Sequence, residues 1–440
     1  MGALQNTLRA LSQALLAGPW TLAALQDRAA RALGGGPPPP ALLASRLVER
    51  FGEGRAPDPR LLKAAIRNDP GFQAVWSRRD RTPVRVRFIA DSPVMESPPP
   101  GLDLSLPDIP TSGYLARWLN LGFGELDWFA DSWSNRTFDT LGPLGHYRYQ
   151  WRPRAGAPPR LIEMPKPRLK RIQRRILREI LDPVPPHPAA HGFRKGHSCL
   201  SYVQPHVQRP IVARMDLRDF FQSISDRRIT GVFRNLGFPY GVARALSGLC
   251  THGVSGSLLR QQEPRLEWER RKRLEAPHLP QGAPTSPALA NLCAYRLDCR
   301  LAGLADKLGL SYTRYADDLA FSGDTSLTRG FERFHVLVAR IALEESFELN
   351  TRKTRLMQQS GRQRLTGIVL NRHPNIQRTD YDRIKATLHN CVCSGPARQN
   401  RDGHPDFRAR LIGLVAHVER LNPSRGLKLR ALLEKIDWEE

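Results

Sequence analysis

Acidic residues are in short supply. In 440 residues, 42 Asp and Glu stand against 67 Lys and Arg, a formal net charge of +25. So basic a chain points to a polyanionic partner, with nucleic acid first and an anionic membrane surface as the rival. Long hydrophobic runs are missing as well. No stretch of about 18 apolar residues occurs, and the opening MGALQNTLRALSQALLAGPW is broken by polar residues. That pattern suits an amphipathic helix and not a signal peptide. We therefore expect a cytoplasmic chain with no membrane partner. The six cysteines, Cys199, Cys250, Cys293, Cys299, Cys391 and Cys393, form no C-x-x-C pair, as free thiols in a reducing compartment would be. His389, Cys391, Cys393 and His404 could together hold zinc, but the C-x-C spacing is unlike the usual structural sites.

What is present divides the chain. Residues 1–34 and 41–78 carry apolar positions at helical spacing, separated by GGGPPPP at 34–40 and followed by the proline-rich 91–112. From residue 113 a short helical pair, YLARWLNLGFGELDWFADS, precedes HYRYQWRPRAGAPPRLIEMP, which alternates like a hairpin around a Gly/Pro turn. PRLKRIQRRILREIL, 167–181, starts with proline as helices do. Leu169, Ile172, Ile176, Leu177, Ile180 and Leu181 form its apolar stripe. Lys170, Arg171, Arg174 and Arg175 occupy the rest and, beside a basic hairpin, are expected to contact nucleic-acid phosphates. Downstream, EPRLEWERRKRLEA fits a charged surface insert. ALANLCAYRLDCRLAGLADKLG and LTRGFERFHVLVARIALEESF read as helices, and 376–440 as mostly helical and basic. Strands and helices in this order predict an α+β domain followed by a helical one.

Asp317 and Asp318 stand side by side in SYTRYADDLAFSG, 311–323, a costly placement on a hairpin with apolar flanks. Neighbouring carboxylates disfavour each other's ionisation, and burial adds to the effect. Asp216 ends the strand-like run IVARMD about a hundred residues earlier. Three carboxylates on neighbouring strands could hold two Mg²⁺ ions, or Mn²⁺, with substrate phosphates supplying further oxygens. Two such ions clamp the attacking and leaving oxygens of an in-line phosphoryl transfer. Spacing alone leaves a polymerase and a nuclease both open, beside the plainer reading of Asp216 as a cap or turn residue.

YADD with its apolar flanks, DLRDFF and LPQGAPTSPALANL, in this order, resemble the reverse transcriptases over roughly 140–371. The resemblance implies a right-hand polymerase fold of the α+β class: fingers and palm at 113–371, a helical thumb at 372–440, and a helical extension at 1–112. It implies Asp216, Asp317 and Asp318 as the metal-binding catalytic acids, with Leu217 adding a backbone ligand. The backbone from Leu217 to Phe220 would approach the incoming triphosphate, and Phe221 would exclude a ribose 2′-OH. Gln281 and Gly282 would line the nucleotide pocket. Arg154 and Arg160 would grip the triphosphate, a task that suits the guanidinium fork. Lys353 would protonate the pyrophosphate leaving group. LTG, Leu365–Gly367, is similar to the Val-Thr-Gly signature of bacterial retron enzymes, and AAHGFRKGHSCLSYVQPHV to the segment before their first Asp. There His206 is kept, while Tyr202 and Val203 replace Asn and Ala. His206, Thr366 and Gly367 are accordingly expected at the nucleic acid. A retron enzyme implies a structured noncoding RNA as template and primer, dNTPs, a branched RNA-linked single-stranded DNA product (msDNA), and antiphage defence with an effector protein. Another bacterial reverse transcriptase, of diversity-generating or phage-exclusion type, and a non-catalytic RNA-binding scaffold stay open as alternatives.

Overall fold

Leucines and alanines spaced three and four apart bury one face of each amino-terminal helix. In the computed structural model these helices are Ala3–Leu15, Leu22–Leu33, Pro40–Phe51, Pro59–Arg67 and Pro70–Ser77. The described residues are 3–34, 38–54, 56–77, 86, 93–96, 104–131, 145–154, 157–262 and 265–438. Part of the expected 34–40 linker, much of the 91–112 junction and the turn of the 147–165 hairpin thus lie outside them. Leu11, Leu15, Leu25, Leu43, Leu62 and Ile66 form a core of their own. Asp58 caps the fourth helix by accepting the Arg60 N–H, with proline at the first helical position.

The chain divides into two compact units, each discontinuous in sequence. The first comprises Met1–His146, Lys166–Pro183 and Asp226–Thr251. Beyond the amino-terminal helices it holds Ser112–Leu119, Phe123–Ala130, Pro167–Ile176, Asp226–Asn235 and Tyr240–Cys250. The basic helix stops being α-helical after Ile176 and continues as a π-turn, Leu177–Leu181. The wider turn keeps Ile180 and Leu181 buried in line with Leu169, Ile172 and Ile176.

The second unit is Tyr147–Pro165, Val184–Ser225 and His252–Glu440. Strands β1 (Tyr147–Arg154) and β2 (Ala157–Pro165) form the expected antiparallel hairpin. β3 (Ile211–Asp216), β4 (Ser311–Tyr315), β5 (Asp318–Gly323) and β6 (Arg355–Gln358) make a four-stranded antiparallel sheet in the order β4-β5-β3-β6. β7 (Arg364–Leu365) and β8 (Ile368–Val369) form a small pair. One sheet face packs Val212 and Ala320 against Tyr202, Val203, Leu365, Ile368 and Leu370. The single helix expected after the LPQG turn is two, Ser286–Cys293 and Tyr295–Lys307, because Ala294 leaves helical geometry at φ −86°, ψ 1°. The carboxy-terminal helices Arg378–Ser394, Phe407–Leu421 and Pro423–Leu433 enclose Leu388, Val415, Val418 and Leu429. No helix of the described residues is long and apolar enough to cross a membrane. An α+β polymerase fold is thus built around an antiparallel sheet.

Candidate active site

The register of β3 against β5 sets Asp216 directly opposite Asp318, so their side chains leave the same face of the sheet. β4 and β5 close at Tyr315 opposite Asp318, leaving Ala316 and Asp317 as the hairpin tip. Ala316 adopts φ +56°, a conformation an L side chain rarely takes. Three contacts hold it there. The Leu217 N–H donates to the Asp317 carbonyl at 2.8 Å. An Arg314 Nη1–H donates to the Ala316 carbonyl at 3.1 Å. Gly192 comes so close that a Cβ would lie 2.7 Å from the Ala316 nitrogen. Arg314 is itself fully buried, bidentate on Asp298 at 2.7 and 2.6 Å and bonded to Asn291 at 3.1 Å. Sequence reading missed Gly192, Asn291, Asp298 and Arg314. Their signal was weak: Arg314 sits inside the YTRYADD word, and its acid lies on the helix before it.

Two cations face the three acids. The Lys353 ammonium donates to Asp216 Oδ1 at 2.8 Å. Arg214, two residues before Asp216 on β3, donates Nε–H and Nη2–H to Asp318 Oδ1 at 2.9 and 2.6 Å. Asp317, held by no ion pair in this set, is the most perturbed. Burial, then the charges of Asp216 and Asp318, push its carboxyl up to about 6. Burial also pushes Asp318 up, against the pull of Arg214. Among the described residues no three acidic, histidine or cysteine side chains converge on one point that would hold a metal ion. Arg214 is paired with Asp318 and Lys353 with Asp216. The donor chemistry nevertheless fits a hard divalent cation. Mg²⁺ binds through one or two carboxylates plus substrate phosphates, and Asp216, buried, and Asp317, half-buried, are two carboxylates whose mutual repulsion a cation would relieve. Arg214 was also missed from sequence; it holds Asp318 in an ion pair.

The remaining expected residues fall into distinct settings. Phe221 is half-buried, its ring centroid 6.0 Å from that of Phe193 and 5.6 Å from that of Phe220. The Phe220 ring is buried against Phe347, which leaves its backbone alone to meet a nucleotide. Gln281 accepts the Glu163 N–H at 2.8 Å through its carbonyl. Gly282 has φ +132°, and a Cβ there would meet the Glu163 carbonyl at 2.7 Å, so glycine is needed to dock this turn on β2. Arg154 and Arg160 are exposed on β1 and β2. Thr366 and Gly367, both at positive φ, turn β7 into β8. Lys170, Arg171 and Arg174 are exposed on the first unit's basic helix. Arg175 is engaged, paired with Glu179 at 3.0 Å and stacked on Trp118.

His206 requires a correction. It is fully buried, with Nδ1 2.7 Å from Ser322 Oγ and Nε2 2.7 Å from Thr313 Oγ1, so it cannot touch nucleic acid. The Thr313 hydroxyl donates to the Tyr202 carbonyl at 2.9 Å and must accept from Nε2–H. Nδ1 then accepts from Ser322, and the ring is neutral. Burial, reinforced by Arg209, depresses its pKa to about 3. His206 braces the hairpin from beneath. The suggested zinc set also fails to assemble: Cys391 is buried in the carboxy-terminal core, and no such cluster exists among the described residues.

A polymerase-type palm sheet with acids at adjoining strand ends is thus the class that fold and site define. A family model described as reverse transcriptase (RNA-dependent DNA polymerase) matches residues 153–370. The chain is 42% identical to the retron Mx65 reverse transcriptase of Myxococcus xanthus over 61% of its own length and 60% of that protein's. It is 33% identical to the retron Mx162 reverse transcriptase of the same species, over 76% and 68%. To the retron Ec86 reverse transcriptase of Escherichia coli it is 33% identical, over 53% and 66%. The chain belongs to the bacterial retron-type reverse transcriptases. A solved foamy viral protease–reverse transcriptase with an RNA/DNA hybrid aligns with a TM-score of 0.33 at 14% identity, over 68% of this chain and 31% of its own, too distant to inform the site.

Proposed function

We propose that this chain is an RNA-directed DNA polymerase that copies a structured noncoding RNA into RNA-linked single-stranded DNA. The observation that carries the reading is the β3–β5 register, which opposes Asp216 to Asp318 beneath the Asp317 tip, in a chain of retron kinship. Asp216 and Asp317, with the Leu217 carbonyl, are the residues that would hold two divalent ions, Mg²⁺ or Mn²⁺. Such ions, when bound, activate the primer hydroxyl and neutralise charge on the triphosphate. Arg154 and Arg160 bind the triphosphate, and Gln281 and Gly282 border the nucleotide. Phe221 presents a flat ring that a ribose 2′-OH would strike, favouring dNTPs. Lys353 has its ammonium at the acid cluster, from which it can give a proton to departing pyrophosphate. Lys170, Arg171 and Arg174 hold RNA phosphates. In this reading a guanosine 2′-OH of the RNA primes synthesis, and the product serves antiphage defence with an effector protein. Cytoplasmic residence follows from those partners.

The test is to purify the chain from its host and sequence the nucleic acid that accompanies it. A single-stranded DNA joined to RNA through a branched 2′ linkage is expected. Only unmodified RNA, with no attached DNA, would refute copying of a bound RNA.

A further inference from the structure

The charged segment that reads as a surface insert is built into the second unit. Its helix, Trp268–Glu275, buries Leu274 with Leu161 of β2, Val254 and Leu259, and the Leu274 carbonyl accepts the Val254 N–H at 2.8 Å. One turn earlier, on the same helix face, stands Arg270. Its side chain is only 12% exposed. An Nη2–H donates to the carbonyl of Pro159 at 2.9 Å, the residue before Arg160. On its other side Nε lies 3.8 Å from Asp219 Oδ1, in the turn that follows Asp216. Arg270 therefore spans the gap between the basic hairpin and the loop beside the acids.

The local charge is unbalanced. Asp219 is shared by Arg218 at 3.9 Å, Arg270 at 3.8 Å and Arg273 at 3.5 Å. Arg218 has a closer acid in Glu267 at 2.8 Å, and Arg273 has Glu348 at 2.8 Å. Among the described residues Arg270 forms an ion pair with Asp219 alone; Glu267 adds a weaker attraction, while Arg154 and Arg160 lie near enough to repel it. A largely buried guanidinium whose two attracting carboxylates, Asp219 and Glu267, are both shared with other arginines, and which has two like charges beside it, is under-neutralised. A polyphosphate would supply the missing charge and match the guanidinium fork.

We infer that Arg270 is a third guanidinium of the triphosphate subsite, binding the terminal phosphates of the incoming nucleotide together with Arg154 and Arg160. This rests on the polymerase reading of the same site and adds the insert helix to it as a wall of the pocket.

The test compares the full-length chain with Arg270→Gln, Arg270→Lys and, as a control on the exposed side of the helix, Lys272→Gln. Binding of inorganic tripolyphosphate in Mg²⁺ buffer is measured by calorimetry, beside dNTP-dependent extension of a primed RNA template. Arg270→Gln should weaken tripolyphosphate binding about tenfold, the scale of one lost charge-assisted contact. It should raise KM for dNTP by a similar factor while kcat and template–primer affinity hold. Arg270→Lys should fall between, and Lys272→Gln should match the unmodified chain. A residue that merely struts the hairpin would lower the melting temperature and kcat and leave both phosphate readouts unmoved; that pattern, or equal tripolyphosphate binding by all four proteins, overturns the inference. Failure of the polymerase reading shows separately, as no extension by the unmodified chain, and the tripolyphosphate ratio still decides the role of Arg270.

Discussion

Asp317 is held in a setting that opposes its charge. A half-buried carboxyl raised to about 6 from the usual 3.8 binds its proton more tightly in the folded chain. Its contribution to stability is whole below the unfolded pKa and is lost as pH rises toward 6, leaving a penalty above. Asp317→Asn should therefore stabilise the metal-free protein at pH 7.5, by about 1–3 kcal/mol in urea unfolding. An unchanged or lower midpoint would count against mutual repulsion among the acids. His206 has the opposite sign. Its pKa falls to about 3 from 6.5, so its contribution is complete above pH 6.5 and is lost as pH falls toward 3. His206→Leu should lower stability at pH 7 by about 2–4 kcal/mol and flatten the pH dependence below 6. A parallel pH profile in the variant would show that His206 is not buried neutral. The acids were legible from sequence because no apolar strand tolerates adjacent aspartates without a reason. The role of His206 was not, since a motif histidine looks alike whether it faces substrate or braces a sheet.

The hairpin β4–β5 was legible as an element, from the apolar flanks of the acidic pair. Its support was not, because Gly192, Asn291 and Asp298 come from segments with no local sign of their destination. Gly192→Ala tests that support. A Cβ only 2.7 Å from the Ala316 backbone nitrogen must displace the tip. Nucleotide incorporation should fall at least tenfold, as sub-ångström misplacement at a reacting centre does, with far-UV circular dichroism unchanged. Full activity in this variant would mean that the tip has freedom the close approach denies. Asp298→Asn attacks the same element through its buried ion pair and should cost about 3–5 kcal/mol of stability, read from the urea midpoint. The insert helix shows the limit of composition as a guide: six charged residues among the eight of WERRKRLE would suit a solvated surface, and a single leucine, Leu274, decides its burial.

At the scale of the whole molecule, charge and motif order were informative before any coordinates. The excess of 25 positive charges names the class of partner, and three separated words name the fold. The make-up of the two units was not legible, because each is assembled from segments far apart in sequence, and such joining leaves no periodic mark in the residues. All of it converges on one claim, that Asp216 and Asp317 carry template-directed nucleotidyl transfer. The most direct measurement is dNTP incorporation on a primed RNA template by the purified full-length chain, beside Asp216→Asn and Asp317→Asn proteins shown to be folded. The unmodified chain should extend the primer in the presence of Mg²⁺ and both variants should fall to background. Equal incorporation by all three would contradict the account.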